Sequence, residues 1–220
     1  MSDFVPTARI IECTEKEYFA DPCEVPSLSH SIAHKMLSRS PFHGWSEHPK
    51  LGGAPEQDEI EDDDEEPSDD MKQGQLVHKL LLGKGVDVAV IEADSFRTKI
   101  AKQLRDEAKA EGKLPILAHK YKAMQSVGNL LRGRCAAAGY ALNGESEVAI
   151  EWTEPGQNGP VVCRCRIDHL LLDDGLILDV KKSRNAHPSK SERNFVEYGY
   201  DIQYAAYTRA VEALRRDLVG

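Results

Sequence analysis

The chain has 220 residues, 40% of them hydrophobic and 30% charged, with a formal net charge of −9 at pH 7. That length suffices for one domain with a sizeable core, and no apolar run approaches the roughly 20 residues needed to cross a bilayer. The N-terminal stretch MSDFVPTARI lacks a signal peptide's apolar core, so a cytoplasmic protein with no membrane partner is expected, its five cysteines reduced rather than paired.

The charge is unevenly spread. Glu56 to Asp70 (EQDEIEDDDEEPSDD) contains 11 acids and no base, leaving the remainder at +2. Such a block repels itself and buries no apolar surface, so residues 54–70 are expected to be a disordered acidic insertion. A solvated loop is the simpler reading; a flap imitating DNA over a basic groove is the functional one.

In chain order, SLSHSIAHKMLSRSP reads as a helix capped by Ser29, with Ile32, Met36 and Leu37 as its stripe and Pro41 beyond its end. MKQGQLVHKLLLG places Leu76, Val77, Leu80 and Leu81 at helical spacing, with Gly83 as the stop. FRTKIAKQLRDEAKAEG is a charged helix closed by Gly112, and LAHKYKAMQSVGNLLRGRCAAAG another closed by Gly139. After Gly144 the period changes to two. ESEVAIEW is a strand, TEPGQNGP a turn, VVCRCRIDHLLL a second strand, DDG a tight turn and LILDVKK a third strand. A loop with Pro188 leads to the amphipathic helix YDIQYAAYTRAVEALRRDL. Helices, a β-meander and a closing helix predict one α/β (α+β) domain over residues 1–220.

The chemistry concentrates on the second hairpin. Asp179 and Lys181 lie two apart on a strand and so share a face. A loop of Asp173 and Asp174 puts Asp168 opposite Asp179; a loop of Asp174 and Gly175 puts it opposite Lys181, with opposed Cβ atoms about 5 Å apart. A three-residue loop would send Asp168 to the other face. Carboxylates this close repel unless a cation lies between them, and hard oxygen ligands suit Mg²⁺ or Mn²⁺. Lys181 would orient the attacking water or stabilise charge on a phosphate. Arg164 and Arg166 share the face of Asp168 and would meet a DNA backbone. A salt bridge at the strand exit is the plain alternative, since D-x-K alone is common. Cys163 and Cys165 point the other way and read as small buried hydrophobes rather than metal ligands. His30, His34, His43 and His48 have no metal-binding spacing and read as surface or capping residues.

RID around Asp168, followed by LDVKK with Asp179 and Lys181, resembles the PD-(D/E)xK nuclease core. GQLVHKLL, with His78 on a helix well before it, and QYAAY, with Gln203 and Tyr207 one helical turn apart, resemble its RecB-like branch. The S-x-S…L-x-x-S-P stretch, F-R-T-K and C-R-x-R-x-D are similar to the exonuclease VIII (RecE-type) domain of phages and prophages, from about Ser27 to Arg209. This resemblance implies a restriction-endonuclease-like core, a central mixed sheet with a β-meander flanked by helices. It implies Mg²⁺ or Mn²⁺ held by His78, Asp168, Asp179 and the main-chain carbonyl of Val180, with Lys181 catalytic. Gln203 and Tyr207 would position the DNA or buttress the site, and Glu147 is one of three acids in ESEVAIE that would match a further family acid. The implied activity is digestion of linear duplex DNA from 5′ ends, leaving single strands for an annealing protein in recombination; several relatives form rings around DNA. Relatives continue past the Q-x-x-x-Y helix with further strand, whereas this chain stops at Gly220. A non-catalytic DNA-binding or regulatory protein on the same fold, its acid block imitating DNA, is the alternative.

Overall fold

A computed structural model gives the fold for residues 5–52, 69–181, 183 and 187–219. The expected acidic insertion therefore lies, apart from Asp69 and Asp70, outside the described residues. The chain divides into two compact units.

The first unit comprises residues 5–52, 148–178 and 183–219 among those described. Its four-stranded sheet has the order β1-β4-β5-β6, where β1 is Ala8–Ile11, β4 Glu145–Gly156, β5 Gly159–Leu171 and β6 Leu176–Leu178. β1 runs antiparallel to β4 with Ala8 facing Trp152 and Ile11 facing Ala149. β4 and β5 are longer than their sequence pattern predicts, and only Gln157 and Asn158 remain as the hairpin turn. Pairing explains the extension of β4: the Thr153 amide donates to the Thr7 carbonyl at 3.0 Å, and the Thr7 amide donates to Thr153 Oγ1.

The β5–β6 ladder pairs Leu171 with Leu176, Leu170 with Ile177 and His169 with Leu178. This is the register in which Leu172 faces Gly175 across Asp173 and Asp174. The Gly175 amide closes the turn on the Leu172 carbonyl at 3.1 Å, and its φ of +64° is one that glycine adopts without strain. β6 is shorter than predicted. It ends at Leu178, so Asp179 and Lys181 follow the strand rather than sit within it.

Helix α8 (Tyr200–Val219) covers this sheet, packing on β1 and β5. The core joins Val148, Ile150 and Trp152 of β4 and Cys165 and Ile167 of β5 with Tyr207, Ala210, Val211 and Leu214 of α8. The strand positions alternate and the helix positions recur every three or four residues, so each element turns one apolar face to the other. Full burial of a single Val, Leu or Ile stabilises the fold by roughly 1.5–3 kcal/mol.

Short helices surround the core: α1 (Glu15–Phe19), α2 (His30–Ser38) and α3 (Pro41–Ser46). Ser29 caps α2 by accepting from the Ile32 amide, as its sequence predicts. The expected apolar stripe fails in part, because Leu37 is 76% exposed, while Met36 packs against Gly44 of α3 and keeps part of its surface in solvent. Pro41 opens a helix of its own rather than only ending the previous one. Pro188 likewise begins α7 (Pro188–Glu197) where a loop was expected.

The second unit comprises residues 69–147 and 179–181 among those described. Helices α4 (Asp69–Leu82) and α6 (Ala118–Ala137) pack together, and a Cβ at Gly128 would lie 3.2 Å from the Leu80 Cβ. Strands β2 (Val88–Ile91) and β3 (Leu114–Leu117) pair in parallel, Val88 with Leu114 and Ile91 with Leu117. Parallel pairing needs a crossover, and α5 (Lys99–Ala110), capped by Thr98, supplies it. Leu76, Leu114 and Ile116 form the small core. No helix among the described residues is long and apolar enough to cross a membrane.

Candidate metal and catalytic site

In the second unit α4 carries His78 beside core residues Leu76 and Val77, which are 0% and 8% exposed. Its two ring nitrogens have different neighbours. Nε2 lies 3.2 Å from the Val180 carbonyl oxygen, and Nδ1 lies 3.5 Å from Glu147 Oε1. The C-terminal end of α4 is tied to the residue before Glu147, because Ser146 Oγ donates to the Leu82 carbonyl at 3.3 Å and Lys84 Nζ to the Ser146 carbonyl at 3.1 Å.

Glu147 has a φ of +60°, a left-handed conformation that is sterically costly for a residue with a side chain. Strain of this kind persists where surrounding contacts hold it, often at functional sites. Here it coincides with a carboxylate directed at His78. Beside Val180, Lys181 Nζ lies 2.8 Å from Asp179 Oδ2 and donates to Oδ1 at 3.1 Å.

These atoms can be tested against a divalent cation. Octahedral Mg²⁺ takes its ligands at about 2.0–2.1 Å, so two ligands at neighbouring vertices stand about 3 Å apart. His78 Nε2 and the Val180 carbonyl have that spacing. A metal-binding imidazole also commonly presents its other N–H to a carboxylate, and Glu147 stands where such a carboxylate belongs. Among the described residues no group of three or more His, Cys, Asp and Glu side chains is gathered closely enough to hold an ion. The main-chain oxygen of Val180 is a donor of another kind.

In the first unit Asp168 is half-buried on β5, one residue from the His169–Leu178 pair. Two residues earlier, the Arg166 carbonyl accepts a 2.6 Å hydrogen bond from Tyr207 Oη, which receives one of 2.6 Å from Gln203 Nε2. Gln203 and Tyr207 are 6% and 5% exposed. They clamp α8 to the backbone of β5, so of the two roles expected for them the buttress fits and direct contact with DNA does not. Arg166 keeps partial exposure and pairs with Glu15 at 3.3 Å.

Arg164 requires a correction, because at 3% exposure it cannot meet a DNA backbone. Its Nη1 donates to the carbonyl and hydroxyl of Ser27 at 2.6 and 2.7 Å, lies 3.3 Å from Asp21 Oδ2, and its guanidinium stands over the Tyr18 ring. His48 is corrected likewise from surface residue to core. Its Nε2 meets the Ser27 carbonyl at 2.9 Å, and its Nδ1 accepts from the Lys50 amide at 3.1 Å. His43 bonds the cap residue Ser40 at 2.7 Å, in line with a capping role.

Cys163 and Cys165 are core residues. Burial pushes both thiols up, that of Cys163 to about 12, so they stay protonated and inert near neutral pH. His169, which sequence reasoning passed over, is 1% exposed, and burial lowers its pKa. The signal that could have found it is the period of two, which puts His169 on the face of Cys165 and Ile167.

An antiparallel sheet with flanking helices, carrying an Asp before its last turn and a D-x-K just after it, defines the nuclease-type fold of the PD-(D/E)xK superfamily. Residues 38–217 match the family described as a PDDEXK-like domain of unknown function (DUF3799), and the chain belongs to that family. PD-(D/E)xK nucleases generally use divalent metals. No curated protein and no solved structure matches the chain.

Proposed function

We propose that this protein is a Mg²⁺- or Mn²⁺-dependent deoxyribonuclease that digests linear duplex DNA from 5′ ends, in the manner of exonuclease VIII (RecE-type) domains. The observation that carries the reading is the 3.2 Å approach of His78 Nε2 to the Val180 carbonyl, with Asp179 and Lys181 on either side of that carbonyl in the chain.

His78, the Val180 carbonyl, Asp179 and Asp168 would hold the ion. Asp168 is included because RID around it resembles the nuclease core. The bound ion would polarise a phosphate oxygen and make its water a stronger nucleophile. Glu147 fixes the orientation of the His78 ring. The Tyr207 bond to Arg166 holds the backbone of β5 two residues from Asp168. Lys181, now paired with Asp179, brings a positive charge to the place where the transition state gains negative charge. The product strands would serve an annealing protein in recombination.

The test is incubation of the protein with linear and circular duplexes of one sequence, with Mg²⁺, Mn²⁺ or EDTA. Metal-dependent release of nucleotides from the linear form alone is expected. Cleavage of the circle would replace the exonuclease reading with an endonuclease. Binding without release in either metal would favour a non-catalytic DNA-binding protein.

A further inference from the structure

We infer that α2 and α3 of the first unit form a stacking platform for single-stranded DNA, with Phe42 and Trp45 as its ring surfaces and Arg39 as its phosphate contact. The identity of the strand as DNA rests on the nuclease reading; the platform rests on the surface itself.

Phe42 and Trp45 are 67% and 48% exposed and lie three residues apart on one helix. Their centroids are 5.8 Å apart with a 31° tilt, so the two rings form one continuous aromatic surface. Phe42 stands mostly in solvent, and Trp45 is about half-buried. Gly44 faces inward, and a Cβ there would come within 2.2 Å of Met36 Cγ on α2. Leu37, at the end of α2, adds a further exposed apolar group. Exposed apolar groups clustered in this way mark an interaction surface rather than scattered surface residues.

Charge selects the partner. Residues 25–52 contain three bases and four histidines, of which His48 is buried, against a single acid, in a chain whose net charge is −9. That acid, Glu47, is paired with Lys35 at 2.9 Å. Arg39 is exposed and next to α3. Aromatic rings beside cations suit unpaired bases, which offer ring faces while their phosphates meet the charge. A duplex hides its ring faces in its own stack. A two-fold pairing of this surface with itself in a second copy would set Arg39 and its neighbours against like charge.

Trp45 reports on its own site, because the other tryptophan, Trp152, is 3% exposed in the core. The protein is titrated in EDTA, where no digestion occurs, with a 20-nucleotide oligothymidylate and with a duplex of equal length. Quenching of tryptophan emission by the single strand is expected, stronger than by the duplex and weakened by salt. Phe42→Ala removes a side chain outside the core and should weaken single-strand affinity by about 5-fold or more, from about 1–3 kcal/mol per stacked base. Tyr140→Ala, an exposed aromatic in the second unit, should leave the affinity unchanged. Equal affinity of Phe42→Ala and the native protein would overturn the proposal. So would an absence of quenching, whether the protein is monomeric or forms a dimer that Phe42→Ala dissociates. Nucleotide release with Mg²⁺ is read separately, so loss of digestion with quenching intact refutes the nuclease reading and leaves the platform standing.

Discussion

The imidazole Nε2 of His78 stands 3.2 Å from the carbonyl oxygen of Val180, joining α4 to the residues that follow β6 across 102 positions of sequence. Glu147 lies on the opposite edge of the same ring, 3.5 Å from Nδ1. His78→Ala removes a ligand and should lower both metal affinity and turnover. Glu147→Gln keeps the size but removes the charge that orients the ring, so metal affinity should fall by about 10- to 100-fold. Calorimetric titration of Mn²⁺ into each variant measures this without reference to activity. Unchanged Mn²⁺ binding by His78→Ala would remove His78 from the site.

Asp179 and Lys181 should separate under mutation although they pair with each other. Asp179→Asn takes a charge from the proposed ion site, so metal affinity and turnover should fall together. Lys181→Ala should leave metal affinity near the native value and slow the chemical step by roughly 100- to 1,000-fold. Single-turnover rates on linear duplex at saturating Mg²⁺ resolve the two. Lys181→Ala with native rates would place the chemistry elsewhere.

Tyr207→Phe deletes the hydroxyl that donates to the Arg166 carbonyl and accepts from Gln203. Leaving buried polar groups short of a partner costs about 1–3 kcal/mol. The midpoint of thermal unfolding should fall by about 2–4 °C for each kcal/mol lost. A variant as stable as the native protein would show that this bond is not what holds α8 on β5.

Asp21 makes stability depend on acid. Its burial works to raise the carboxyl pKa, but hydrogen bonds from Ser27 and the Arg164 guanidinium outweigh it and hold the value below the ordinary carboxylate range. A depressed folded-state pKa contributes stability that is complete above the unfolded value of about 3.9 and is lost as pH falls through the folded value. Unfolding by urea should therefore become easier below about pH 4. Asp21→Asn should remove much of that dependence and cost about 3–5 kcal/mol at pH 7, because Arg164 stays buried without its counter-charge. A pH profile identical to the native one would contradict this assignment.

The acid block should weaken DNA binding by charge alone. Deleting Glu56 to Ser68 removes nine acids and no base and takes the formal net charge from −9 to zero. Duplex affinity should rise at 50 mM salt, and the gain should vanish near 1 M, where screening shortens the range of charge to about 3 Å. An affinity gain that persists at high salt would mean that the block acts by something other than its field.

The sequence by itself determined the parts whose causes are local. Ser29 marks a helix start, Gly83, Gly112 and Gly139 mark stops, and the change of period after Gly144 marks the hairpins. Asp173 and Asp174 before Gly175 were enough to mark a tight turn but left two even loops and a three-residue loop open, and the D-x-K pattern with His78 was enough to indicate the superfamily. The tertiary structure alone decided what depends on a distant partner. β2 and β3 have four residues each, too few to show a period, and exist because they pair with each other. Asp179 falls outside β6 because the ladder stops at Leu178. Arg164 has the same alternation as Arg166, yet only Arg164 meets Asp21 and Ser27, which lie more than 130 positions away and remove it from solvent. A strand's pattern states which face a side chain takes; what covers that face is set by chain that folds back from far along the sequence.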